Sequence, residues 1–105
     1  MSTTPDYIEY IIEQIRGAGE IRHKKMFGEY MVYVNEKPIL LVCDNTVFVK
    51  KIPELGNLMS NAETGAPYPG AKEHYILDIE NHGLALDAVK ILTAIIPVSV
   101  KKRKS

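Results

Sequence analysis

The side chains with the most reactive chemistry in this sequence are one cysteine and three histidines, and their spacing predicts no catalytic or metal-binding site. Cys43 lies in a continuous apolar run with no histidine near it in sequence, so we expect a small buried side chain rather than a nucleophile. The histidines are His23, His74 and His82, and none has another histidine or cysteine at the short spacings of common zinc sites. We therefore expect no metal ligand and three surface histidines.

A pair of carboxylates, Asp78 and Glu80, falls on or just after a predicted strand. Acid–base or metal chemistry would need partners that the sequence does not identify, so we expect both at the solvated surface. The glycine-rich motifs of nucleotide-binding proteins and the nucleophile motif of serine hydrolases are missing. We expect no catalytic residue and no cofactor, and we keep a small-molecule enzyme only as a third hypothesis.

Basic residues suggest a different activity, the binding of phosphate groups. They are Arg22, Lys24, Lys25, Lys50, Lys51 and, in the last five residues, Lys101, Lys102, Arg103 and Lys104. Such charges neutralise nucleic-acid phosphates, and Tyr30 or Tyr33 could stack on bases. The competing interpretation is that lysines at a strand edge prevent pairing between sheets and that a basic tail aids solubility.

The charge balance favours the second interpretation. The net charge is zero, from 13 basic and 13 acidic residues, but four of the basic residues lie in the tail. The first 100 residues therefore hold nine basic against 13 acidic side chains, a net charge of −4. Nucleic-acid-binding domains are usually basic, so contact with nucleic acid is possible but not favoured.

Length and composition indicate one globular domain. The chain has 105 residues, 46% hydrophobic and 25% charged, which is ordinary for a globular protein. No apolar run could span a membrane, the N-terminal residues do not resemble a secretory signal, and one cysteine suits a reducing compartment. We expect a cytoplasmic protein without membrane contact, formed by a domain over residues 1–97 and a basic, flexible tail over 98–105.

Periodicity predicts two helices. Residues 4–17 begin with Thr4 as a cap and Pro5 at the first helical position, and carry a stripe of isoleucines. Residues 84–96 form a second apolar helix that Pro97 ends. Residues 54–60 could form a short helix. We expect a loop over residues 61–72 and a turn over residues 81–83.

Five segments rich in β-branched and aromatic residues predict strands, at 21–27, 30–34, 39–43, 46–50 and 75–79. The first four are joined by short turns at Gly28, at 35–37 and at Asp44-Asn45, so neighbouring strands must be antiparallel. The predicted fold class is α+β: a two-layer arrangement with a mainly antiparallel five-stranded sheet and the N- and C-terminal helices packed on it.

The run 39–43 is apolar at every position, which predicts that both faces of its strand are buried. Two helices can cover one face of the sheet, and the other face then needs either the 54–60 segment or a second subunit. We expect a homodimer, since soluble monomers rarely expose large apolar patches.

Two short motifs flank this region. In Met26-Phe27-Gly28 the glycine permits a turn or a bulge, and the methionine and phenylalanine either pack inward or form an exposed recognition edge. In Pro67-Tyr68-Pro69-Gly70 the tyrosine either fastens a long loop to the core or serves recognition.

These two motifs and the segments around them resemble the N-terminal domain of the TfoX (Sxy) family. The resemblance extends over residues 14 to 97 and is carried by residues 25–30, 32–34, 41–45, 47–50 and 68–72. The resemblance implies a compact α+β module; the best-known members are bacterial regulators of natural competence that act on transcription. Glu29 stands where many members have a second glycine, and the longer regulators continue into a second domain. The residues that the resemblance marks as interaction candidates are Met26, Phe27, Gly28, Tyr30, Tyr33, Lys50, Tyr68, Pro69 and Gly70.

The leading hypothesis is a non-enzymatic regulatory or protein-interaction module with an unidentified protein partner. The alternative is a nucleic-acid-associated transcriptional accessory protein that uses the basic tail, Lys101 to Lys104.

Overall fold

The two helices and the strands follow the order that the sequence predicts, with one additional strand. The computed structural model describes residues 3–26 and 29–98. The elements are α1 (Pro5–Gln14), β1 (Ile21–Met26), β2 (Glu29–Val34), β3 (Lys37–Cys43), β4 (Thr46–Lys50), β5 (Thr64–Gly65), β6 (His74–Ile76) and α2 (His82–Ile95), with a 3-10 turn at Pro53–Leu55. The α+β class is confirmed.

Both helices begin where a polar side chain caps them. The Tyr7 N–H donates to Thr4 Oγ1 at 3.3 Å, so α1 begins at Pro5 as predicted. The Leu84 N–H donates to Asn81 Oδ1 at 3.2 Å, and this cap starts α2 at His82. The turn predicted at 81–83 is therefore wrong, because His82 and Gly83 form the first turn of the helix. No helix among the described residues is long and apolar enough to cross a membrane.

The sheet has six antiparallel strands in the order β1-β2-β3-β4-β6-β5, so the predicted count of five is one too low. The additional strand, β5, lies inside the predicted loop 61–72, and its two residues are too short to show any alternation. The predicted strand 75–79 begins one residue earlier and ends at Ile76. The segment 54–60 forms the end of the 3-10 turn and irregular turns after it, because Gly56 and Asn57 are poor helix formers.

Two-residue turns join the central strands. Asp44 and Asn45 have φ of 53° and 54°, the left-handed conformation that such a hairpin requires, which confirms the predicted turn. Asn35 and Glu36, with φ of 54° and 66°, make the same kind of turn, so Lys37 belongs to β3. Residues 27 and 28, between β1 and β2, lie outside the described residues, and so do the backbone conformation predicted for Gly28 and the tail after Val98.

The hydrophobic core lies between the helices and one face of the sheet. It is formed by Ile8 and Ile11 of α1 and Ile15 directly after it, by Ala85, Ala88, Val89 and Leu92 of α2, and by Tyr30, Val32, Val34, Leu40, Val42, Val47 and Val49 of the strands. Leu55 and Met59 join the same core, and the 3-10 turn packs against α2. The segment 54–60 therefore lies on the helical side and does not cover the other face.

A β-bulge in β3 explains how its apolar run is buried. Val32 pairs with Leu40 and Tyr33 with Pro38, so Ile39 is an extra residue between them. Ile39 and Leu40 both enter the core, whereas Leu41 points to the opposite side. The prediction that both faces of this strand are buried holds on the helical side, where Ile39 and Leu40 are in the core, whereas Leu41 on the opposite side is only half-buried. We call the face opposite the helices the open face.

Candidate interaction site on the open face of the sheet

A row of side chains crosses the open face over five strands. Lys24 pairs with Met31, Met31 with Leu41, Leu41 with Phe48, and Phe48 with Ile76. Directly opposed residues of antiparallel strands point to the same face, so the four apolar residues are neighbours. At the usual strand spacing they extend over about 14 Å. Their side chains are half-buried, apart from Phe48, which is buried. The open face therefore has an apolar centre.

Beside this row lies a cavity of about 470 Å³. Its walls come from three strands and the loop after β5: Met26, Glu29, Leu41, Cys43 and Tyr68. This size is within the range of small-ligand and side-chain pockets. Tyr68 is 57% exposed, a large exposed fraction for an aromatic ring that lines a cavity. The fold thus brings together Met26 and Tyr68, one from each of the two motifs that the sequence marked.

Glu29 and Thr3 form a polar cluster at the cavity wall. Glu29 Oε1 accepts a hydrogen bond from the Asp44 N–H at 3.0 Å and lies 3.4 Å from Thr3 Oγ1. Thr3 is buried, and its hydroxyl accepts from the Asn45 N–H at 3.2 Å. Glu29 therefore connects β2 to the β3–β4 turn, which fixes the position of that wall.

Cys43 is the reactive side chain nearest to this cavity. Burial, followed by the negative charges of Glu29 and Asp44, raises the pKa of its thiol to about 11. The thiol is then protonated at neutral pH, and only a thiolate is a strong nucleophile. The structure agrees with the expected small buried side chain, since Cys43 is only 4% exposed.

The other predicted site residues are distributed over the molecule. Tyr30 is buried on the helical side, so it cannot stack on a base. Tyr33 lies on the open face, where the Arg22 guanidinium carbon is 4.5 Å from its ring centroid. Pro69 and Gly70 follow Tyr68 in the loop, and Gly70 has φ of 89°.

One of the predicted residues, Lys50, does not join Met26 and Tyr68 at the cavity. Lys50 lies on the open face opposite His74, at a separate cleft. Phe27, Gly28 and the tail residues Lys101 to Lys104 lie outside the described residues. Sequence reasoning did not identify Leu41 as part of the site; the strand register that two-residue turns impose was the signal that could have found it.

A second cavity, of about 560 Å³, lies near the start of α2 and includes Glu63, Asp78 and Asn81. Its polar groups serve local structure. Asp78 Oδ1 accepts from the Glu80 N–H at 3.3 Å, and Asn81 is the cap of α2. Within residues 3–26 and 29–98, no three histidine, cysteine or carboxylate side chains are grouped so that they could hold a metal ion.

Comparison with known proteins identifies the family to which the chain is similar. The family model of the TfoX N-terminal domain matches residues 13–84, a range that includes both motifs. An uncharacterized 12.7 kDa protein in the trpE 5′ region of Spirochaeta aurantia is 33% identical over 107 aligned positions, which cover all of this chain and 92% of that protein. No solved structure matches at a significant level. The resemblance inferred from the sequence is confirmed.

Proposed function

Because the chain belongs to the TfoX N-terminal domain family, we propose that it is a non-enzymatic regulatory module that binds a protein partner through the open face. The observation that carries this proposal is the cavity of about 470 Å³ whose walls include Met26 and Tyr68. A half-exposed aromatic ring beside a preformed apolar pocket is a common arrangement at the centre of protein interfaces. We place this role in the cytoplasm, because a chain whose single cysteine cannot form an internal disulfide suits a reducing compartment.

The charges around the apolar centre favour a partner of acidic character. Arg22 and Lys24 lie on the β1 side of the open face, and Lys50 with His74 on the β4–β6 side. The Arg22 guanidinium is partly neutralised by Glu36 at 2.8 Å. Lys24 and Lys50 are exposed and have no acidic partner among the described residues. We therefore propose that the occupant is a protein segment with one large apolar side chain between acidic residues.

The same charges weigh against a second copy as the occupant of this face. A two-fold dimer would bring identical surfaces together, so each basic rim would meet another basic rim. Like charges across an interface lower the affinity. The homodimer that the sequence predicts stays a prediction, and we expect its interface to lie away from the open face.

Peptide binding tests the proposal. Peptides selected from a random library against the full chain should carry a large apolar residue flanked by aspartate or glutamate. Tyr68→Ala should weaken their binding about tenfold, the effect of losing 1.4 kcal/mol of contact with an anchor side chain. Tyr10→Ala is the matched control, because Tyr10 is also an exposed tyrosine but lies on α1. Equal affinity for the parent and Tyr68→Ala would contradict the proposal.

The stacked Arg22 and Tyr33 pair favours one alternative, the binding of single-stranded nucleic acid with help from the basic tail. In that case affinity should fall steeply with salt, since each neutralised phosphate releases counterions. Deletion of residues 101–105 should then reduce the slope of log affinity against log salt concentration. Absence of binding to single-stranded and duplex DNA at low salt would remove this alternative.

A further inference from the structure

A small cleft at the β4–β6 side of the sheet collects basic side chains from separate parts of the chain. We call it the lysine cleft; it measures about 250 Å³ and is lined by Lys50, Lys51, Ile52, Lys72, Glu73 and His74. Lys50 and His74 are directly opposed across β4 and β6, so both side chains emerge on the open face. Lys72 comes from the loop that contains Tyr68. Two segments of the family resemblance, 47–50 and 68–72, thus each contribute their terminal lysine to the cleft.

The one carboxylate that lines this cleft is already engaged. Glu73 accepts hydrogen bonds from the Thr64 hydroxyl at 2.7 Å and from Lys51 Nζ at 3.1 Å. These two bonds, with the charge of Lys51, hold the pKa of Glu73 below its ordinary value, so it is ionised at neutral pH. Lys50 and Lys72 have no acidic partner among the described residues, and their charges remain available to an anion.

His74 is held in a defined orientation at the cleft. Its Nδ1 lies 2.8 Å from the Lys72 carbonyl oxygen, and because a carbonyl only accepts, Nδ1 carries the proton. The ring also makes an edge contact with Phe48, with centroids 6.4 Å apart and planes at 88°. Nε2 is left without a partner in the described part of the chain. A fixed imidazole between two lysines presents polar groups that need little rearrangement to meet a ligand.

We propose that the lysine cleft binds the phosphate group of a phosphate monoester, at a site distinct from the Tyr68 cavity. A phosphate monoester carries between one and two negative charges at neutral pH on three acceptor oxygens, which suits several cations gathered at one point. A cleft of this volume accepts a phosphate group but is below the usual size for a complete nucleotide. A nucleic-acid backbone carries one charge per phosphate and is matched best by cations spread along its length, whereas these cations line one small cleft.

Amide chemical shifts of the full chain test the proposal directly. The chain is titrated with inorganic phosphate and, separately, with glycerol phosphate, each at constant ionic strength against sodium chloride. Both arms should move the amide signals of Lys50, Ile52 and residues 72–74, and the comparison shows whether the ester part adds affinity. Shifts elsewhere, no shifts at tens of millimolar ligand, or equal shifts with chloride would overturn the proposal.

Lysine variants provide the second readout. Lys50→Ala and Lys72→Ala should each weaken phosphate binding about tenfold, since each removes a charge-assisted hydrogen bond. Lys24→Ala is the matched control, an exposed lysine on the same face but at the opposite edge of the sheet. The shift map of the parent protein keeps the test valid if a variant does not fold.

Two further measurements separate this site from the alternatives. Tyr68→Ala should retain phosphate binding, because its ring lines the other cavity. The second measurement is the binding of a single-stranded DNA oligonucleotide. If the oligonucleotide binds while glycerol phosphate does not, and if Lys24→Ala and Lys50→Ala weaken its binding equally, the lysines serve nucleic-acid binding and the monoester site is overturned.

Discussion

At the scale of single residues, the open face combines an exposed anchor with an unreactive thiol. Tyr68 and Cys43 line the same cavity, but one is 57% and the other 4% exposed. The exposed ring is available to a partner, whereas the thiol contributes only apolar surface to the wall. This difference supports a role in binding rather than in covalent chemistry.

The raised pKa of Cys43 predicts how its thiol reacts. With a pKa of about 11, the native thiol should be alkylated by iodoacetamide very slowly at pH 7.5, and the rate should rise towards pH 11. The same reaction in denaturant should be fast, because the unfolded thiol has an ordinary pKa, near 8.5. Mass spectrometry measures both rates. Rapid alkylation of the native protein at neutral pH would contradict the buried, protonated thiol.

The same shift has a consequence for stability. The folded pKa lies above the unfolded one, so the folded state disfavours the thiolate. This contribution is fully present below the unfolded pKa and decreases as the pH rises from about 9 towards 11. Cys43→Ser should lessen this alkaline decrease in the free energy of unfolding, because a serine hydroxyl does not titrate in that range.

At the scale of elements, the two-residue turns set the strand register that creates the site. Register decides which residues face outward, and a shift by one residue would turn Met31 and Leu41 towards the core. Glu36 holds a left-handed conformation, with φ of 66°, that costs a non-glycine residue about 1–2 kcal/mol. The β2–β3 turn therefore retains strain at a position where glycine would relieve it.

A pair of variants measures this strain. Glu36→Gly should be more stable than Glu36→Ala by about 1–2 kcal/mol, since glycine adopts positive φ without the steric cost of a Cβ atom. Both variants lose the exposed ion pair with Arg22, so the comparison isolates the backbone. Chemical denaturation gives the two free energies. Equal stabilities would show that the turn relaxes away from the left-handed conformation.

The sequence predicted those elements whose signals are local. Thr4 with Pro5 defined the start of α1, and Asp44 with Asn45 defined a turn. β5 was missed because its two residues gain a partner strand only through the path of the chain. The start of α2 was predicted too late in the sequence, because His82 and Gly83 are poor helix formers. The Asn81 cap outweighs their low helix propensities.

The candidate site was predictable only in part, for a related reason. The family resemblance marked Met26 and Tyr68, but nothing in the sequence showed that they share a cavity. The row that contains Met31 and Leu41 depends on register, which the bulge at Ile39 shifts by one residue. Lys72 was not identified, because its proximity to Lys50 depends on the path of a long loop.

At the scale of the whole molecule, the proposed binding site follows from the asymmetry of the sheet. Both helices, with Leu55 and Met59, contribute to the core on one side of the sheet. The open face therefore keeps an apolar centre between basic edges. The binding of an acidic, apolar partner segment would cover that centre and neutralise its rim. The lysine cleft lies at the end of the same face and gives it a second, smaller site.

The most direct test of the account is the location of a bound peptide on the molecule. A library-selected acidic peptide with one large apolar residue is titrated into the full chain, and amide chemical shifts are followed while sedimentation equilibrium records the mass. Binding on the open face should shift the signals of Met26, Met31, Leu41, Cys43 and Tyr68, with one peptide bound per chain. Shifts confined to α1 and α2, or loss of binding when the chain self-associates through the open face, would contradict it.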